Sequence, residues 1–160
     1  MALSKGAQLA EDLANFNAEV TALVEGCPDD LWQQKTGEEG WTVAATAHHI
    51  AEGHYSVVGL AQLAAAGKEL PELTWDDINH GNAEHASAYA ACTKDEVLAT
   101  LAKNGTATIE FVRDLDDATL ANSVYVGLID QDLNAEQIIR GFVLQSGSGH
   151  LNSLRETLGA

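Results

Sequence analysis

The sequence predicts an all-α protein built as a four-helix bundle, and three observations predict it. Alanine and leucine lead the composition and only two prolines interrupt 160 residues, a mix that favours helices because Ala and Leu lose little side-chain entropy in one. Apolar residues recur in alternating steps of four and three along four long stretches, the period of a single helix face. Each of those stretches opens on a residue suited to cap a helix.

The first helix is expected from about Ser4 to about Glu25, with Leu9, Leu13, Phe16, Val20 and Leu23 as its stripe and Gly26-Cys27-Pro28 as its stop. Trp32 lies in the connection that follows and reads as a plug over the bundle end. Thr42 caps a second helix that continues to about Ala66, before Gly67. Its stripe is Val43, Ala47, Ile50, His54, Val57 and Ala61, and His49 falls on an adjoining line with Thr46, Gly53 and Ser56. After Pro71, a shorter polar helix starts at Thr74 or Trp75 and runs through Asn79, His80, Asn82 and His85 to about Ala91. It is an extra element between the second and third long helices.

Thr93 and Glu96 form a capping box for the third long helix, whose core face is Leu98, Leu101, Gly105, Thr108, Val112 and Leu115. Residues Asp116 to Asn134 read as irregular, with Ser123 to Ile129 extended over the bundle end. Asn134 caps the last helix, which reaches about Leu158 and carries Ile139, Val143, Ser146, His150 and Leu154 on one side. Within it, Ser146-Gly147-Ser148-Gly149 reads locally as a turn. Mid-helix glycines cost about 1 kcal/mol each relative to alanine. Either the helix breaks there, or the glycines let another helix or a ligand approach the backbone closely.

By length the chain is one domain over residues 1–160, large enough to bury a core without staples. Eight Lys and Arg face twenty-four Asp and Glu, a net charge of −16. That field disfavours nucleic acid and anionic membranes as partners and otherwise reads as a solvated, self-repelling surface. No apolar run reaches the eighteen residues of a membrane span, and Met1 to Ala10 lacks the apolar block of a signal peptide. Cys27 and Cys92 stand apart, without CxxC spacing. They read as free thiols of a cytoplasmic protein.

Six histidines in so lysine-poor a chain raise metal binding, because neutral imidazole is the commonest ligand for zinc, nickel and similar divalent ions. Spacing alone says little. Neighbours such as His48 and His49 point about 100° apart on a helix, His54 falls on the apolar stripe, and no HExxH is present. His49 and Glu52 are three apart on a shared face, while His80 and Glu84 sit four apart on an exposed helix. For any one of these histidines a hydrogen-bonded structural role is the commoner use.

The segment from Gly40-Trp41-Thr42-Val43 to His48-His49-Ile50-Ala51, with a histidine eight residues past the tryptophan, resembles the second-helix signature of the DinB-like superfamily. Asp76 to Asn79 resembles the acidic segment after that helix, and Glu96 to Leu101 the opening of the third. Ala135 to Ile139 and His150 to Arg155 resemble the last helix, which in the family carries His-x-x-x-His. The resemblance covers nearly the whole chain and rests on order and spacing, since each motif is short. It implies an up-down-down-up bundle with one divalent metal, held near one end of the core by a histidine of the second helix and two of the last. Carried over, those positions are His49, Ser146 and His150. Serine is a poor ligand beside imidazole, so His54, Glu52 or His85 is left to replace it, water to take its place, or the metal to be lost. Trp41 and Asn79 are candidates for the rim of the pocket.

Three functions follow from these readings. The resemblance implies an enzyme using a divalent metal of zinc or nickel type, a thiol-linked transferase or a hydrolase acting on a small molecule. The alternative is a non-catalytic small-molecule-binding or stress-response module whose metal site has degenerated at Ser146. The third is an interaction protein pairing as a homodimer through its helix faces.

Overall fold

The caps anticipated from the sequence all form. In the computed structural model, which describes residues 2–37 and 40–160, the Ser4 hydroxyl accepts the Ala7 N–H at the start of α1 (Lys5–Gly26). The Thr42 hydroxyl accepts that of Ala45 at the start of α2 (Val43–His48). Reciprocal capping boxes open α4 (Trp75–Ala88) with Thr74 and Asp77, α5 (Lys94–Arg113) with Thr93 and Glu96, and α7 (Ala135–Ile138) with Asn134 and Gln137. Each cap satisfies an N–H that would otherwise lack a partner, an effect of about 1 kcal/mol.

Two of the long helices are composite. The second runs as α2, a π-helical turn over His49–His54, and α3 (Val58–Ala65), ending at Gly67 with φ of 69°. The last runs as α7, a π-helical stretch over Ile139–Gln145, and α8 (Ser146–Leu158). The helix is therefore continuous through Ser146–Gly149, and Gly147 alone of the two glycines answers a packing need. A Cβ on Gly147 would lie 2.7 Å from the tip of the Phe16 ring on α1, whereas one on Gly149 would meet nothing within 4 Å. We therefore expect opposite signs from the same substitution two residues apart. Gly147→Ala should destabilise by about 1–3 kcal/mol through overpacking, and Gly149→Ala should stabilise by up to about 1 kcal/mol. Urea unfolding of the two variants checks this.

Side-chain bonds at the ends define the topology. Thr42 and Trp32 donate to the carbonyls of Ala90 and Cys92, while Asn122 donates to that of Ala65, so the second long helix and α5 start at one end and finish at the other. The Lys94 ammonium reaches the carbonyl of Cys27, and Lys5 N–H reaches Asp117, which sets α1 antiparallel to α5. Arg140 pairs with Asp12 and Arg155 with Glu19, which sets the last helix parallel to α1. The result is an up-down-down-up four-helix bundle, with α4 in the long link that two parallel neighbours require. The core is Leu9, Leu13, Val20 and Val24 of α1, Ile50, Val97, Leu101, Ile139, Leu151 and Leu154 among others, all at most 2 % exposed. Val24 rather than Leu23 completes the α1 stripe. Trp32 is buried at the end as a plug.

The stretch from Asp116 to Asn134 is more ordered than its sequence implies. It holds α6 (Asp117–Leu120) and a hairpin in which β1 (Ser123–Val126) pairs antiparallel with β2 (Gln131–Asn134). Asp130 takes a left-handed φ of 52° in the turn. Polar β2 has no alternating pattern to betray it, and pairing with β1 supplies its order. No helix among the described residues is long and apolar enough to cross a membrane.

Candidate metal centre

Residues five apart on an α-helix point roughly 140° apart, because one turn takes 3.6 residues. The π turn over His49–His54 widens the spiral to an i→i+5 repeat, so its first and last side chains come to one face. His49 and His54 accordingly meet with ring centroids 4.7 Å apart. His150, from the second turn of α8, completes the group at 4.9 Å from His49 and 5.0 Å from His54. One nitrogen from each of the three rings lies within 4.8 Å of the others.

The surroundings orient these rings. His54 Nδ1 stands 2.8 Å from the carbonyl oxygen of Phe142, a residue of the second π stretch. Only an Nδ1–H can bond there, so the Nε2 lone pair faces away from it. That Nε2 is buried and has no hydrogen-bond partner. An orphaned buried acceptor costs about 1–3 kcal/mol, and a carbonyl bonding the far nitrogen is how proteins aim metal-ligating histidines. Trp41 covers the group, edge-on to His49 at 5.2 Å and stacked on His150 at 6.0 Å. Burial first, then the neighbouring imidazoles, hold His49 down to about 3. Burial also lowers His54, to about 4, against the opposing pull of the Phe142 carbonyl. Both rings are neutral at physiological pH, the form that ligates metal.

Gly53 makes room for this arrangement. A Cβ there would sit 2.5 Å from His49 Nδ1, so any side chain would push the ring aside. Gly53→Ala should weaken divalent-metal affinity by about 10–100-fold, the range found when a ligand's support is lost. The same clash should lower the stability of the metal-free protein by about 1–3 kcal/mol, offset by up to about 1 kcal/mol because alanine is the better helix former. Calorimetric zinc titration beside a thermal melt separates the two effects.

The remaining sequence candidates divide. Ser146, onto which the resemblance places a ligand, is exposed and its hydroxyl donates to the Gly141 carbonyl, so it is not among the converging groups. Glu52 and His85 gather instead with His48 in a second cluster. Asn79 stands exposed on α4, more than one turn before His85. His80 pairs with Glu84 on the solvent face. Both cysteines are buried and unpaired, and burial pushes the Cys92 thiol up to about 11, away from nucleophilic use. His48 carried no signal as a site residue in the sequence beyond its place next to His49; only the packing of α4 reveals it.

Three converging imidazoles, two of them held neutral by burial and one carrying an unpartnered lone pair, fit a divalent metal, for which nitrogen donors are well suited. Comparison with known proteins agrees with the fold. YfiT from Bacillus subtilis, described as a probable metal-dependent hydrolase with an unusual four-helix bundle topology, superposes with a TM-score of 0.73 at 18% identity, covering 98% of this chain and 89% of its own. A protein from Clostridium difficile 630 gives 0.74 at 14% identity, with 98% and 96% covered. The mycothiol-dependent maleylpyruvate isomerase gives 0.68 at 14% identity, and all of this chain corresponds to 64% of that enzyme. No curated protein matches the sequence. The sequence profile of the DinB superfamily matches residues 13–152, which is most of the chain, and the protein belongs to that superfamily.

Proposed function

We propose that the protein is a metal-dependent enzyme whose centre is His49, His54 and His150, acting on a small molecule as a hydrolase or a thiol-linked transferase. The observation that carries this reading is the buried, unpartnered Nε2 of His54, on a ring grouped with two other imidazoles, while its other nitrogen is engaged by the Phe142 carbonyl. Three protein ligands with a further position left for water or substrate is the usual composition of a catalytic zinc site. A metal there would lower the pKa of a bound water or thiol and polarise a substrate carbonyl.

The chain's own residues contribute position and exclusion. His54 and His49 are almost fully buried, so solvent reaches the group from the side of the less buried His150 and Trp41. The indole of Trp41 narrows that side, and the carbonyl of Phe142 holds the proton of His54 on Nδ1. YfiT's description as a probable metal-dependent hydrolase and the thiol dependence of the isomerase support the two reaction classes. The degenerate-module reading rested on Ser146, and His54 supplies an imidazole where that argument assumed none.

Metal analysis of protein purified without an affinity tag or chelator tests the proposal, followed by assay against ester, amide and thiol-conjugate panels. The expected result is bound divalent metal and a turnover that chelation abolishes and zinc or nickel restores. Protein that neither retains metal nor gains thermal stability from added zinc or nickel would refute it.

A further inference from the structure

A second set of metal donors lies beside the first and shares no side chain with it. His48 closes α2, Glu52 follows one turn later within the π segment, and His85 projects from α4 across the crossing of the two helices. His48 Nδ1 lies 2.9 Å from His85 Nε2 and 3.4 Å from Glu52 Oε2. All three donor atoms fall within 4.8 Å of one another. Donors bound tetrahedrally at 2.0–2.1 Å from a zinc ion stand about 3.3 Å apart, a spacing that these two contacts bracket.

Tyr89 holds both rings in place, stacked on His48 at 3.7 Å and 10° and against His85 at 4.6 Å. The His48 side chain is 4 % exposed, while Glu52 is 47 % exposed at the outer edge. A hydrogen bond between the imidazoles explains one short contact. It leaves the Glu52 carboxylate against the same His48 nitrogen, which either shares one proton between two acceptors or turns a lone pair on the carboxylate, according to tautomer. A divalent cation satisfies both lone pairs and the carboxylate together, and two histidines with a glutamate are an established zinc ligand set.

We propose that His48, Glu52 and His85 form a second, surface-opening site for a divalent transition metal, adjoining the three-histidine centre. The His49 and His85 rings lie 5.8 Å apart across the boundary, so the bundle end carries two cation sites side by side. The second does not depend on the first being occupied.

Zinc titration of the chelator-stripped, full-length protein tests this, read by calorimetry with circular dichroism to verify the fold. Wild type should take up two equivalents. His85→Ala should take up one, and His54→Ala should lose the other equivalent while keeping the one that His85→Ala lacks. Glu52→Gln, a half-exposed substitution that leaves the core intact, should weaken one of two sites by at least tenfold. One equivalent in wild type that persists unchanged in both His85→Ala and Glu52→Gln would overturn the second site and leave the first standing. One equivalent removed by His85→Ala and kept by His54→Ala would sustain the second site and overturn the three-histidine centre. If His85→Ala fails to fold, Glu52→Gln decides: two equivalents of unchanged affinity sink the proposal.

Discussion

Replacing His54 by alanine should lower the affinity of the three-histidine centre for zinc by more than about 100-fold, whereas Ser146→Ala should change it less than twofold. Loss of a group that merely supports a ligand costs 10–100-fold, so loss of a ligand must cost more. His54 qualifies as one because its Nε2 is buried without a partner and its Nδ1 is committed to Phe142. Ser146 does not, since its exposed hydroxyl is already bonded to its own helix at Gly141. The comparison matters because spacing in the last helix favours position 146 and the folded geometry favours position 54. Competition titration with a chromophoric chelator resolves both variants. Equal losses at 54 and 146 would return the site to the last helix and sink the assignment made here.

Metal-free protein should lose stability steeply in mild acid. His49 and His54 titrate near 3 and 4 in the folded state, depressed mainly by burial, against about 6.5 in an unfolded chain. Below pH 6.5 the unfolded chain therefore binds protons that the folded chain refuses. Stability is full above about pH 6.5 and falls by about 1.4 kcal/mol per pH unit for each histidine, until the folded groups protonate in turn. Two such groups remove about 4 kcal/mol between pH 7.5 and pH 5, a large share of the 5–15 kcal/mol that holds a typical domain together. His48 and His85, also lowered by burial, act in the same direction. Urea unfolding with chelator at pH 7.5 and pH 5.0 measures the difference. Identical midpoints would show that the imidazoles are not held neutral.

Much of the fold was legible because it is written locally. Ser4, Thr42, Thr93 and Asn134 cap the helices they were expected to cap, since a cap depends only on residues three apart. Stripes such as Leu9, Leu13, Phe16 and Val20 face the core because periodicity and burial describe the same surface. The hairpin was half legible: β1 alternates, whereas β2 is recognisable only through its partner.

Local signals in the chain specify four amphipathic helices, their ends, and two histidines, His49 and His150, at positions that the family resemblance marks. Which other side chains join them depends on how the helices pack. An α-helical reading turns His54 away from His49, because five residues advance the spiral by roughly 140°. The π turn removes most of that angle, and no short motif within the segment announces it. Phe16 filling the space at Gly147 and α4 bringing His85 to His48 are likewise contacts between segments far apart in the chain. Helix ends are local chemistry, but a cluster of imidazoles drawn from two helices exists only once they pack.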